Sequence, residues 1–292
     1  MATLGDLLRL GRPHFLLAGV AFVALGIALA RHAGAAVDPL DAALAMAAVA
    51  FTQWGVHYGN EAHDVDADRA NPRRTRLAGG SGLVVAGRVT EGEARLVAAC
   101  LFGAGAAAAG ALAWRAPASL AVSVPLVALS WAYSAPPLRL CARGLGEAAT
   151  GLIVAVLVPA LVLVPAGLGP AATAAWWPLA PLALQVAAAV AVLSLPDADG
   201  DAAAGKRTLA VRLGPRRTRR LLQVAWLACG LGSTASLVFG APPPFALTGG
   251  AAFAAAVALP VLVLRRSWDT LSLVAMGIAA LQWALTLAWA LG

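Results

Sequence analysis

Long stretches without a single Asp, Glu, Lys or Arg alternate along this chain with short segments crowded with charge. A helix that crosses a bilayer needs about 20 mostly apolar residues and tolerates almost no charge at its centre, so these stretches predict membrane helices. Five have the length of one helix each: 13–30, 42–60, 96–114, 116–138 and 270–292. Two more, 148–196 and 221–264, hold 49 and 44 residues. A straight helix of that length overshoots a hydrocarbon core of about 30 Å, so each must fold back on itself. Pro165-Ala-Gly-Leu-Gly-Pro170 supplies the turn in the first and Gly240-Ala-Pro-Pro-Pro244 in the second, because Gly and Pro end helices and favour turns. The pattern predicts an all-α polytopic membrane protein, one domain over 1–292, with nine transmembrane helices.

Composition agrees with the pattern. Of 292 residues, 61% are hydrophobic and only 12% charged, and the mean hydropathy is +0.80, far from the balance of a soluble domain. The basic residues then orient the chain, since Lys and Arg concentrate in short cytoplasmic loops. A cytoplasmic N-terminus puts 18 of the 21 on one side: Arg9 and Arg12, five arginines at 69–88, Arg139 and Arg143, seven residues at 206–220, and Arg265 with Arg266. Arg31 and Arg115 fall outside, and Arg95 stands at the start of the third helix. The expected location is the inner (plasma) membrane, multi-pass. The net charge of +7 is thereby explained by topology and attraction to anionic lipid, and nucleic acid is not a predicted partner. Residues 9–30 resemble a signal peptide, but with eight more spans following they read as a retained first helix. Cys100, Cys141 and Cys229 are odd in number and far apart, which suggests neither a disulfide framework nor a zinc site.

Acidic residues change the picture from a membrane protein to a membrane protein with a site. Seven of the 14 Asp and Glu lie in two windows, 60–68 and 197–201. Asn60, Asp64 and Asp68 are spaced i, i+4, i+8, which on a helix puts them on one face with about 6 Å of rise between neighbours. Asp197 and Asp201 repeat the i, i+4 step. Each cluster follows the cytoplasmic end of an even-numbered predicted helix, the second and the sixth, so both can converge at one membrane face. Mg²⁺ takes oxygen ligands and is usually held by one or two carboxylates plus substrate phosphates, so two facing carboxylate pairs suit a metal-bound diphosphate. A calcium loop is the weaker reading of Asp197-Ala-Asp-Gly-Asp201, because the 12-residue pattern with its final Glu is absent.

Cations complete such a site, since Mg²⁺ alone does not neutralise a diphosphate. Lys206 stands five residues beyond Asp201 and Arg139 follows Tyr133-Ser-Ala-Pro-Pro-Leu. Arg69, Arg73, Arg74 and Arg76 precede Gly79-Gly80-Ser81-Gly82, whose backbone N–H groups can cap an anion. Arg73 and Arg74 serve equally well as anchors to lipid headgroups. Tyr133, one of only two tyrosines, reads either as an interface anchor or as a group facing the substrate. His57 and His63 flank the first cluster, but neither fits its carboxylate face.

Several of these stretches together resemble the UbiA superfamily of intramembrane prenyltransferases. Asn60-Glu-Ala-His-Asp64-Val-Asp-Ala-Asp68 is similar to its first motif, Asn-(Asp/Glu)-x-x-Asp-x-x-x-Asp, and Asp197-Ala-Asp-Gly-Asp201 to its second. Arg12-Pro13, Tyr133-Ser-Ala-Pro-Pro137 and Gly205-Lys-Arg-Thr-Leu-Ala-Val-Arg-Leu-Gly214 add to the likeness. The resemblance implies a nine-helix bundle around a central cavity open to the cytoplasm. It implies Mg²⁺ on Asn60, Asp64, Asp68, Asp197 and Asp201, with Lys206, Arg139, Tyr133, Arg12 and Arg76 toward a polyprenyl diphosphate. The implied reaction is ionisation of the allylic C–O bond and capture of the cation by an aromatic acceptor. The Arg74 to Gly82 loop and the Pro196 to Thr208 stretch look most like 1,4-dihydroxy-2-naphthoate prenyltransferases of menaquinone synthesis. One departure is that many relatives carry Asn or Glu just before the second motif, where this chain has Leu193-Ser194.

Other functions use similar residues differently. A UbiA-type terpene cyclase would share the metal site and use no acceptor, and transfer to 4-hydroxybenzoate or homogentisate would share everything but the acceptor. In a transporter the acids would sit at mid-membrane, whereas here they lie at helix ends. A CDP-alcohol phosphotransferase gathers its aspartates in one compact segment, whereas 133 positions separate Asp68 from Asp201.

Overall fold

A computed structural model describes residues 2–72, 75, 78–238, 251–252, 254–259, 265 and 268–292 of the protein. Within them every regular element is a helix. A short α1 (Leu4–Leu10) opens on a capping box between Thr3 and Asp6, which satisfies N–H groups that a helix start leaves open. The first predicted span appears as α2 (Leu16–His32) and the second as α3 (Pro39–His63), with Asp38 capping α3 and Pro39 at its first position. After α4 (Val65–Ala70) come α5 (Glu91–Arg115), begun by a Thr90–Glu93 capping box, and α6 (Leu120–Ser134).

The 49-residue stretch does fold back. Its first half is α7 (Gly146–Leu152), a π-helical stretch (Ile153–Leu157) and α8 (Val158–Leu163), and its second, after the one-turn α9 (Thr173–Trp176), is α10 (Leu179–Leu193). The wide turn lies just ahead of Pro159, which has no N–H to donate to the ladder. α11 (Ala198–Ala203) follows, then α12 (Leu209–Val238), interrupted at Gly214 by φ 70° and ψ 164°. A helical segment at 254–259 (α13) and α14 (Trp268–Leu291) end the chain. The predicted turn at Gly240–Pro244 lies outside the described residues.

Among the described residues, five helical segments are long and apolar enough to cross a membrane, and α10 is a shorter apolar one. They form a closed ring: α2 packs on α3, α3 on α5, α5 on α6, α6 on the π stretch, α7 on α10, and α10 on α14, which returns to α2. Phe22, Leu25, Leu29, Val49, Leu112, Leu126, Leu161, Leu163 and Leu179 fill one core, and Val192, Leu222, Trp226, Leu259 and Leu271 a second. In a bilayer these contacts stabilise through close packing rather than through removal of apolar surface from water. A third core of Leu10, Tyr58 and Val89 lies beneath α1, and the Tyr58 hydroxyl donates to the Leu7 carbonyl at 2.9 Å. This ties the N-terminus to the end of α3 that carries the acidic cluster.

Candidate active site

The first cluster does not lie on one straight helix as its spacing predicts. α3 stops at His63, Asp64 adopts φ −107° and ψ 9°, and α4 starts at Val65. The i+4 backbone bonds survive the bend, from Asp64 N to Asn60 O at 2.9 Å and from Asp68 N to Asp64 O at 2.8 Å. The second cluster keeps its predicted geometry, because Asp197 leads into α11 and Asp201 N bonds Asp197 O at 2.8 Å. α4 packs on α11, and Gly200 makes this possible. A Cβ there would stand 2.6 Å from Ala67 O and 2.9 Å from the Asn71 Cα, so only glycine admits so close an approach.

The two clusters meet at Lys206. Its Nζ lies 2.7 Å from Asp64 Oδ1 and 3.1 Å from Asp201 Oδ1, and the three residues are only 8%, 8% and 6% exposed for Lys206, Asp64 and Asp201. Gly205, at φ 73°, reverses the chain to bring the lysine back, and Lys206 N bonds Asp201 O at 2.9 Å. Burial disfavours the Lys206 ammonium, but Asp64 and Asp201 outweigh it and raise its pKa. Burial pushes the Asp68 carboxyl up to about 7, with Glu61, Asp64 and Asp197 adding like-charge repulsion. Asp197 is pushed up to about 6 by burial and by Asp201, while Asn71 draws it down.

A second layer holds this arrangement. Asn71 Nδ2 donates to Asp197 Oδ1 at 2.6 Å, which joins the segment after α4 to the second cluster. Glu61, buried on α3, accepts from Ser81 N at 2.5 Å and from Ser81 Oγ at 2.6 Å. Ser81 is thereby anchored while Gly80 lies flush against the Asp68 carboxylate, leaving no room for a Cβ. Ser134 Oγ donates to Asn60 Oδ1 at 3.0 Å. Glu61, Asn71, Ser81 and Ser134 were not singled out by spacing. Glu61 lies inside the first acidic window, Ser81 inside the Gly79–Gly82 run and Ser134 inside the Tyr133–Pro137 stretch, whereas Asn71 carries no sequence signal.

The predicted cations are placed variously. The Arg12 Nε is 3.7 Å from Glu61 Oε1, so it meets the cluster through that carboxylate. The Arg139 Nη2 donates to the His63 carbonyl at 3.3 Å, one residue from Asp64. Arg12 and Arg139 are the two non-glycine residues with positive φ among those described, both at 45°. Such backbones cost about 1–3 kcal/mol each and cluster at functional sites. Tyr133, half-buried near the end of α6, directs its ring toward α7, where an added Cβ on Gly146 would stand 3.4 Å from its Cε2. His57 stacks on Phe15 at 5.3 Å. Arg73, Arg74 and Arg76 lie outside the described residues.

Among the described residues, no three His, Cys, Asp or Glu side chains close on one point as a protein-only cage does. Mg²⁺ does not ask for one, since it is commonly held by a carboxylate or two together with phosphates and water. Carboxylates from two clusters at a shared face, repelling one another through buried surroundings, are a donor set that fits a hard cation.

Comparison with known proteins identifies a family and a shared fold. The UbiA prenyltransferase family matches residues 19–285, nearly the whole chain. Several solved structures share the fold, three of which follow. The apo form of a UbiA homologue from Aeropyrum pernix K1 superposes with a TM-score of 0.68 at 21% identity, covering 92% of this chain and 96% of that one. A UbiA homologue from Archaeoglobus fulgidus bound to DMAPP and Mg²⁺ gives 0.64 at 17%, covering 96% and 99%. A digeranylgeranylglyceryl phosphate synthase gives 0.64 at 15%, covering 99% and 98%. No curated protein sequence matches. The chain belongs to the UbiA prenyltransferase family.

Proposed function

We propose that this UbiA prenyltransferase family member transfers a polyprenyl group from a prenyl diphosphate to an aromatic acceptor, 1,4-dihydroxy-2-naphthoate in menaquinone synthesis. The observation that carries the reading is the meeting of Asp64 and Asp201 on Lys206, which joins two clusters far apart in sequence into one charged site. Mg²⁺ held by Asn60, Asp64, Asp68, Asp197 and Asp201 would neutralise the diphosphate as it departs. Lys206, Arg139 and Arg76 would donate to phosphate oxygens, and Arg12 would reach the substrate from beside Glu61. The allylic C–O bond breaks with its electron pair on the diphosphate, a ring carbon of the acceptor uses its π electrons to form the new C–C bond, and that carbon then releases its proton, or CO₂ if it carries the carboxylate, to restore the aromatic ring. Packed helices around the site keep water from the cation. The naphthoate assignment rests on the likeness of the 74–82 and 196–208 stretches to enzymes acting on that acceptor. Nine spans, a cytoplasmic N-terminus and a site open to the cytoplasm complete the reading.

The test uses purified protein with labelled geranylgeranyl and longer diphosphates, a panel of aromatic acceptors, and Mg²⁺ or chelator. Product on the naphthoate, dependent on Mg²⁺ and reduced at least about 100-fold in Asp64→Ala and Asp197→Ala, is expected. Unchanged transfer in both variants would overturn the site, and a prenyl product formed with no acceptor present would make the protein a terpene cyclase.

A further inference from the structure

We propose that Glu147 and Ser194 form a seat for a hydroxyl group of the acceptor, beside the diphosphate cluster. The inference rests on the prenyl-transfer reading above and goes beyond it in assigning acceptor recognition to named residues. Glu147 is the second residue of α7 and is only 8% exposed. Its one side-chain partner among the described residues is Ser194 Oγ, at 3.5 Å. That hydroxyl has a better acceptor at 3.0 Å in the Ala191 carbonyl, and it carries a single proton. The other donor to the carboxylate is the backbone N–H of Glu147 itself, and no cationic side chain among the described residues acts on it. A carboxylate taken out of water with no cation beside it costs several kcal/mol, and an ionisable side chain within a membrane helix points to function.

Position says what would complete it. Glu147 follows Gly146, where an added Cβ would stand 3.4 Å from Tyr133 Cε2, and its carboxylate is 3.5 Å from Ser194 Oγ. Ser194 stands three residues ahead of Asp197, in the turn from α10 into α11. The pair therefore borders the cluster on the side where Tyr133, on α6, places an aromatic ring against Gly146. A lone carboxylate and one hydroxyl are too few oxygens for a second metal ion. They are the right complement for a neutral O–H donor on a flat ring: Glu147 accepts the hydrogen bond, Ser194 adds a second polar contact, and Tyr133 is an aromatic neighbour at Gly146. The ligand class is a hydroxylated aromatic, held with its ring next to the carbon that loses the diphosphate.

Steady-state kinetics on the purified enzyme separate this role from a structural one. Glu147→Ala is expected to raise the KM for the hydroxylated acceptor about 10- to 100-fold and to leave the KM for prenyl diphosphate and the Mg²⁺ dependence in place. Wild type should reject the O-methylated acceptor, and Glu147→Ala should lose that preference, while Glu147→Gln, which keeps an acceptor oxygen, should retain most of it. Ser194→Ala should weaken the preference and serves as the test if Glu147→Ala fails to bind a non-hydrolysable prenyl diphosphate analogue. Transfer by wild type with no change in acceptor KM or hydroxyl preference in these variants overturns the seat alone. Acceptor-independent cyclisation by wild type overturns both the seat and the transfer reading.

Discussion

At the scale of single residues, the site depends on how three buried charges share one another. Lys206 satisfies two aspartates from different clusters, and losing one partner of a buried ion pair is strongly destabilising because the other charge remains without compensation. Lys206→Ala is therefore expected to lower stability by about 3 kcal/mol, measured as thermal unfolding in detergent with chelator present. Mg²⁺ added with a prenyl diphosphate analogue should recover part of that loss, since a bound cation takes over the charge balance. Recovery by the analogue without Mg²⁺ would contradict this account. Asp64, Asp201 and Lys206 all stand in stretches that the sequence singles out as a candidate site. Their pairing was not legible there, because Lys206 is adjacent in sequence only to Asp201 and reaches Asp64 through a chain reversal at Gly205.

At the scale of elements, the contact of α4 with α11 brings the clusters together, and it is set by the absence of one side chain. Gly200→Ala forces a methyl group against the Ala67 carbonyl and the Asn71 backbone. The cost should be about 1–3 kcal/mol, accompanied by a loss of Mg²⁺-dependent transfer larger than the loss of stability explains, because Asn71 is pulled from Asp197. Gly103→Ala on α5, where a Cβ meets open space, is the matched control and should leave melting temperature and activity unchanged or slightly raised. Equal effects of the two substitutions would show that the α4–α11 approach is not what holds the site. Helix positions themselves were readable: α2, α3, α5, α6 and α14 fall on predicted apolar runs, and the 49-residue run splits near its Pro-Gly turn. The break of α3 at Asp64 was not, since the i, i+4 bonds continue through it and leave the spacing of a straight helix intact. The polar role of the turn before the second cluster was equally hidden. Ser194 meets a carboxylate from α7, 47 residues earlier in the chain.

For the whole molecule, the ring of helices places the two acidic clusters at one end and Asp38, Asp41 and Arg115 at the other, where the acids pair with the arginine. The distribution of arginine predicts which end faces the cytoplasm. In a variant lacking the native cysteines, Ala36→Cys in the exposed connection between α2 and α3 should react with a membrane-impermeant maleimide in intact spheroplasts. Ala86→Cys, exposed in the segment before α5, should react only after the membrane is opened, and the reverse pattern would invert the topology. Sequence alone determined that this is a helical membrane protein, where most of its helices run and that half of its acidic residues gather in two short windows, because apolar length and charge exclusion act residue by residue along the chain. Tertiary structure alone decided which acids pair, that Glu61, Asn71, Ser81 and Ser134 hold them, and that Glu147 lies beside them. Those relations arise where helices distant in sequence pack within van der Waals contact, and no local pattern records which buried faces will meet.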